Sequence, residues 1–429
     1  MSRIIIPLFL LSIFTACKNN KIVNPSDYSP FLSDNKRMEK QLEKINTEIE
    51  FWQKRLLIDT GNYVDMQKLA SSYTKRFKIS GTVDDLHTAD SFYSRCLAKI
   101  KHTQPEMYFS ISQNAITQHR FQDAWKYLQL ADSIGVNPFV IKLLKFDAAM
   151  EIGLYQQAEY NLQQVRNKKE FDYLIRKAKM EDHYGRLDNA IEFMEMALQE
   201  AEASGKQDMV LWSKSNLADM YGHAGRIKDA YKNYLQILNM DSSYLHALNG
   251  IAWIAYSHDK NTKEAKRVIK YISSQTHMPD HYLMLAEIAE WEGDLEMKKQ
   301  CITNFITEVE KPVYGNMYNK YLITIYTEDL KNFDKAMAIA EKEVNCRPTP
   351  ETYDWLAWVY YQQGDVHKAY DLIEEFVLGK TSEPDALLHA AIVLNEYGKK
   401  SDAKKILIEC KESSFELGPL TTQKINSLL

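Results

Sequence analysis

Glycine and proline are scarce in this chain, 15 and 11 among 429 residues. Both interrupt helices from within. Their scarcity, with plentiful Lys, Glu, Leu and Ala, suits an all-α protein. An excess of positive charge is also missing. The net charge is −5 and no long basic run exists, which argues against a nucleic-acid partner. Lys168-Lys169, Lys399-Lys400 and Lys404-Lys405 read as solvated helix faces or ends. Cysteines number five. Cys96, Cys301 and Cys410 fall at apolar positions of predicted second helices and Cys346 near a loop, so they read as small buried thiols rather than disulfides. No CxxC or Cys/His spacing suggests zinc. The patterns GxxxxGK[ST], HExxH, GxSxG and GxGxxG do not occur. The eleven histidines are scattered; His183 and His223 fall near helix ends, where a histidine can meet last-turn carbonyls. The expectation is a chain with no catalytic residues, no metal and no cofactor.

Long apolar runs are confined to the start. Arg3 precedes the apolar stretch Ile4 to Phe14, and the small residues Thr15 and Ala16 follow. Such a run is too short to span a bilayer as a mature helix and reads as a signal peptide. The ending Phe14-Thr15-Ala16-Cys17 resembles a bacterial lipobox, with Phe14 in place of the usual Leu. That resemblance implies cleavage before Cys17 and lipid attachment to it; the plainer alternative is an ordinary secretory signal. Residues 1–17 are thus assigned to the leader. Residues 18–33, rich in Asn, Ser and Pro, read as a flexible tether. Residues 34–62 carry a long amphipathic helix with Met38, Leu42, Ile45, Ile49, Trp52 and Leu56 at spacings of four and three. This seam suits a cap over the first repeat better than a coiled-coil strand, because the heptad run is short.

From residue 63 onward a two-helix unit recurs about every 34 residues. Its clearest copy is Leu217 to Leu238. Leu217, Ala218 and Tyr221 mark the first helix and Gly225 the turn. Ala230, Tyr231, Tyr234, Ile237 and Leu238 mark the apolar stripe of the second. Small anchors matching Ala230 occur at Ala89, Ala124, Ala158, Ala190, Ala265, Ala336, Ala369 and Ala403, with Lys298 standing at one such place. Glycines recur five residues before the anchor at Gly153, Gly185, Gly293, Gly364 and Gly398. The units at Ala89, Ala265 and Ala336 carry an extra residue in the turn. A lone hairpin cannot bury its own stripes and needs neighbours.

The pattern resembles the tetratricopeptide repeat (TPR) family over roughly residues 63 to 415. The sets Leu217-Ala218, Tyr221, Gly225, Ala230, Tyr234 and Leu356-Ala357, Tyr360, Gly364, Ala369, Pro384 carry the match. The resemblance implies an all-α solenoid, a right-handed superhelix of about ten hairpins, with a concave face that binds peptides or partner proteins. Residues 416–429 are expected to cap its far end. Carried onto this chain, the family's groove-facing positions place Trp253, Tyr256, Glu287, Glu290, Trp291, Trp358 and Tyr361 as candidate ligand-binding residues. Aromatic rings there offer rigid contact area at little entropic cost; alternatively they fill gaps between first helices.

The favoured function is a lipid-anchored, non-catalytic scaffold of the bacterial envelope, outer-membrane-attached and either periplasmic or surface-exposed. It binds a protein or peptide, and no nucleic acid. A glycan-binding surface lipoprotein for nutrient uptake is the alternative. An enzyme is the third reading, resting only on the pair Glu287 and Glu290.

Overall fold

The computed structural model describes residues 21–33, 36–100, 105–135, 138–165 and 169–429. The expected leader and Cys17 lie outside the described residues. Among those residues every regular element is helical, and no helix is long and apolar enough to cross a membrane. Ten helical hairpins follow one another. Hairpins 1 to 5 are Tyr63–Ser80 with Asp84–Lys99, Pro105–Thr117 with Phe121–Ile134, Pro138–Glu151 with Tyr155–Gln163, Phe171–His183 with Leu187–Ser204, and Gln207–His223 with Ile227–Met240. Hairpin 6 pairs Leu245–Trp253 and its extension Ile254–His258 with Thr262–Gln275. Hairpins 7 to 10 are Asp280–Glu292 with Leu295–Val309, Asn319–Glu328 with Phe333–Cys346, Pro350–Gln362 with Val366–Phe376, and Pro384–Tyr397 with Lys400–Glu412.

Hairpin 5 shows why the sequence folds this way. Leu217, Ala218 and Tyr221 on its first helix are buried with Ala230, Tyr234, Ile237 and Leu238 on its second. Gly225 ends the first helix at φ +70°. Arg226 N–H then donates to the Tyr221 carbonyl, five residues back, at 2.8 Å, the bond that satisfies an otherwise orphaned last-turn carbonyl. The extra turn residue expected in hairpins 6 and 8 shows in the same bond. Asn261 N–H reaches back six residues to Ala255 (2.7 Å) and Asn332 N–H six residues to Tyr326 (2.8 Å). Hairpin 6 absorbs the added residue as a π-type turn over Ile254–His258. Lys298, at its small-anchor position, aims its amine at Glu290 and Asp329, 2.7 Å from each.

Consecutive hairpins stack, and the stack winds tightly enough to meet itself. The Ser80 carbonyl accepts from the His277 N–H (2.9 Å) and from the Thr276 hydroxyl, the latter across 196 residues of sequence. His87 meets the Val313 carbonyl at 2.7 Å, and Gln122 donates to the Cys346 carbonyl at 2.5 Å. The turns of hairpins 1 to 4 thus face the loops that follow hairpins five or six places further on. Apolar burial accompanies these bonds: Val83 and Leu86 of hairpin 1 share a buried cluster with Phe305, Tyr314 and Ile323 of the later coil.

Two terminal segments differ from expectation. Residues 22–33, expected as a flexible tether, are folded onto the second helices of hairpins 5 and 6. Ile22 and Val23 donate backbone N–H groups to the Asp259 carboxylate at 3.0 and 2.9 Å, and Asn24 N–H meets the Tyr231 hydroxyl. Tyr28 is fully buried, its hydroxyl on Glu264 and Arg267 over its ring at 5.4 Å. Polar composition hid a handful of anchors that each find a partner. The long helix Lys36–Ile58 then lies along hairpin 1, with Ile45, Ile49 and Leu56 buried against Met66 and Leu69. Its Arg37 pairs with Asp241 at 2.9 Å.

The C-terminal segment, Ser414–Leu428, does not simply cap the far end. It turns inward and runs along the first helices of earlier hairpins. Gly418, at φ +79° and ψ 171°, breaks the helix and redirects the chain into the interior.

Candidate functional site

The first helices of hairpins 5, 6, 7, 9 and 10 line an inner face, and the C-terminal segment lies on it. Phe415 packs on Gly222, where a Cβ would sit 2.9 Å from the ring. The Phe415 carbonyl accepts from Trp253 Nε1 (3.0 Å) and Ser257 Oγ (2.6 Å). Gly418 passes so close to hairpins 6 and 7 that a Cβ would stand 2.6 Å from Glu287 Oε1 and 3.1 Å from the Trp253 ring. Further along, Leu417 and Ile425 are buried with Trp358, Leu388 and Ile392, and Lys424 stands over the Trp358 ring at 5.3 Å.

The candidate residues fall into three groups. Trp253, Tyr256 and Glu287 are brought together under Phe415 and Gly418. Tyr256 is fully buried, edge-on to Trp253 with ring centroids 5.6 Å apart. Trp358 and Tyr361 stack at 5.0 Å, and His389 stacks on Trp358 at 3.9 Å. Trp358 Nε1 donates to Glu328 at 2.7 Å. Glu290 and Trp291 join neither group. Glu290 is exposed and paired with Lys298, while Trp291 has Lys260 over its ring at 5.9 Å. Trp358, 2% exposed, offers no open face for a sugar ring.

Beside Phe415 the inner face opens into a cavity of about 870 Å³, within the size range of ligand-binding clefts. Phe77, Leu245, Trp253, Met278, Met284 and Phe415 supply apolar wall, and Asp219, His223, His246 and Glu416 supply charge. Asp219 accepts from the Tyr234 hydroxyl at 2.5 Å and pairs with His246 Nε2 at 2.9 Å. Burial alone would lower the His246 pKa, but the Asp219 contact outweighs it and holds the imidazole above its ordinary value. His223 Nδ1 stands 3.7 Å from Glu416.

Two carboxylates of this interior, Glu287 and Glu383, are hard to ionise. Burial pushes Glu287 up to about 7; the nearby charges of Glu290 and Asp385 add to this, against Tyr256 and Lys260. Burial likewise raises Glu383 to about 7, with Glu351 and Glu416 adding repulsion. A cationic group placed among them would ease that repulsion. Among the described residues no cluster of three or more His, Cys, Asp or Glu is arranged to hold a metal ion. The sequence reading missed Gly222, Ser257, Phe415 and Gly418. Gly222 was the available signal, because Gly225 already supplies the turn and a second glycine in the same helix has another use.

A model of the family described as anaphase-promoting complex, cyclosome, subunit 3 matches residues 329–410, from the end of hairpin 8's first helix to hairpin 10. No curated protein matches. The fold is a solenoid of TPR-like hairpins. Similar solved structures include the human IFIT1 dimer with m7Gppp-AAAA, 14% identical at TM-score 0.48 and covering 73% of this chain and 70% of that one. Yeast Tom70 is 12% identical at TM-score 0.32, covering 94% and 96%. A tetratricopeptide repeat protein from Parabacteroides merdae is 16% identical at TM-score 0.34, covering 60% and 98%.

Proposed function

We propose that this chain is a non-catalytic interaction scaffold of a bacterial envelope that holds a protein segment against the inner face of its TPR-like solenoid. One observation carries the reading: that face already accommodates a polypeptide, residues 414–428, through side-chain hydrogen bonds to the Phe415 carbonyl and through apolar burial. The adjoining cavity extends the same surface with apolar wall and charged groups. The sequence of residues 1–17 supports attachment to a membrane through a lipid on Cys17; we place that anchor on the outer membrane, facing the periplasm or the surface.

Affinity isolation of the full chain from envelope extracts tests the binding role. A protein retained by the unaltered chain should be lost from Leu245→Glu and Asn249→Arg, which alter the cavity. It should be kept by Tyr160→Glu, which alters an exposed position away from it. Equal retention by all three would refute the assignment. Labelled fatty-acid incorporation, abolished by Cys17→Ser, tests the anchor separately.

A further inference from the structure

The C-terminal segment is seated too specifically to be a filler. Its path depends on contacts that only particular residues can make. Phe415 occupies a slot that exists because residue 222 lacks a side chain. Its carbonyl is held by two donors, Trp253 Nε1 and Ser257 Oγ, of which Ser257 is itself buried. Gly418 sits in the left-handed region, in a space that closes on any Cβ, and Pro419 follows within the kink. Past the kink Ile425 is fully buried, and Lys424 reaches the Trp358 ring. Taken in order, the inner face reads an aromatic residue, a Gly-Pro turn, then one helical turn carrying an apolar and a basic residue.

We infer that the inner face recognises a partner segment of this same chemistry, an aromatic–x–x–Gly–Pro turn followed by a basic amphipathic helical turn, and that residues 414–428 are its built-in competitor. The inference deepens the binding role proposed above and rests on it. Competition follows from connectivity. Ser413 alone joins the last hairpin to the segment, so its effective concentration at the face is at or above ~1 mM. A free peptide that binds the empty face in the ~10 μM range would then bind the occupied one ~100-fold more weakly. The open cavity beside Phe415 gives an incoming segment a place to make first contact.

The probe is a fluorescent synthetic peptide of residues 413–429, added to the full chain and followed by anisotropy. Gly418→Val in the full chain should expel the native segment. Hydrogen exchange should then show residues 417–428 unprotected, and the peptide should bind at least 50-fold more tightly than to the unaltered chain. A peptide carrying Gly418→Val should fail to bind. Phe415→Ala, which empties the slot without altering backbone preference, is the second variant, with helix content checked by circular dichroism for both. Equal peptide binding to unaltered and altered chains overturns the inference, as does no binding to variants whose segment is exposed. A concentration-dependent dimer of the unaltered chain that exchanges its C-termini also overturns it, because the occupant would then be a second copy. These results leave the affinity isolation above untouched, since its cavity variants do not alter the segment.

Discussion

The N-terminal strap, residues 22–33, hangs chiefly on Tyr28, and removing that side chain should free it. The ring is fully buried, and an aromatic side chain of this kind buries ~150–250 Å². At ~25 cal/mol per Å² its loss costs ~4–6 kcal/mol as an upper figure. Tyr28→Phe is milder. The Glu264 carboxylate loses the hydroxyl but keeps Arg267 Nε at 2.9 Å, so the cost is that of one hydrogen bond to a charged group, ~1.5–3 kcal/mol. The strap is a terminal piece docked on hairpins 5 and 6, so either loss should appear as local opening rather than global unfolding. Hydrogen exchange of residues 23–33 reads it directly. Exchange should speed up ~10-fold or more in Tyr28→Phe and approach the unprotected rate in Tyr28→Ala. Acid adds an independent check. Burial works to raise the Glu264 pKa, but hydrogen bonds from Arg267 and Tyr28 prevail and hold it below its ordinary 4.5. A depressed carboxyl stabilises above its free pKa and loses that contribution as pH falls through the bound value. The contribution of this carboxyl to the stability of the whole fold should therefore fade below pH 4.5. Unchanged protection in Tyr28→Ala would refute the reasoning.

Three further outcomes follow from single contacts. Gly153 and Gly225 share a left-handed backbone, at φ +75° and +70°, but a Cβ at 153 would stand 2.6 Å from the Pro348 carbonyl while 225 faces open space. Both alanine variants should lose ~1–2 kcal/mol to backbone strain, and only Gly153→Ala should raise the radius of gyration by small-angle scattering; equal radii would contradict the contact between coils. Gly250→Ala places a Cβ 2.2 Å from the Tyr234 ring, so thermal unfolding should show a loss of ~1–3 kcal/mol, relieved by Tyr234→Ala in the double variant. Glu287 has its pKa raised to about 7 beneath Gly418. A raised carboxyl costs stability as pH climbs from its free value to the raised one, because the closed form holds the proton longer. The C-terminal segment should thus open more readily at pH 8 than at pH 6, after correction for intrinsic exchange. Glu287→Gln should flatten that dependence, and a slope unchanged in this variant would exclude Glu287 as its source.

The hairpins were legible because their determinants are local. Ala230, Gly225 and Tyr221 specify one turn through spacing alone, and copies of that spacing locate the others. Even the added residue before Asn261 and Asn332 could be read by counting. The contact of hairpin 1 with the later coil could not be. It depends on small rotations accumulated over several hairpins, and no periodicity links Ser80 to His277. The strap was misread because Val23 and Tyr28 are isolated apolar residues among Asn, Ser and Pro, and their partners Asp259 and Glu264 lie more than two hundred residues away. Residues 416–429 were legible as a segment after the last hairpin, but nothing local says which way the chain turns at Gly418. Among the candidate site residues, the pattern of first-helix positions located Trp253, Tyr256 and Glu287 on one surface. It did not separate them from Glu290, whose side chain turns to Lys298.

Photo-crosslinking in living cells tests the recognition role most directly. A photoreactive residue at Asn249, exposed on the wall of the inner cavity, is compared with one at Tyr160, exposed elsewhere. The account predicts a discrete, reproducible protein adduct from position 249, absent from 160 and strengthened when Gly418→Val empties the inner face. No adduct at 249, or the same adducts from both positions, would contradict it.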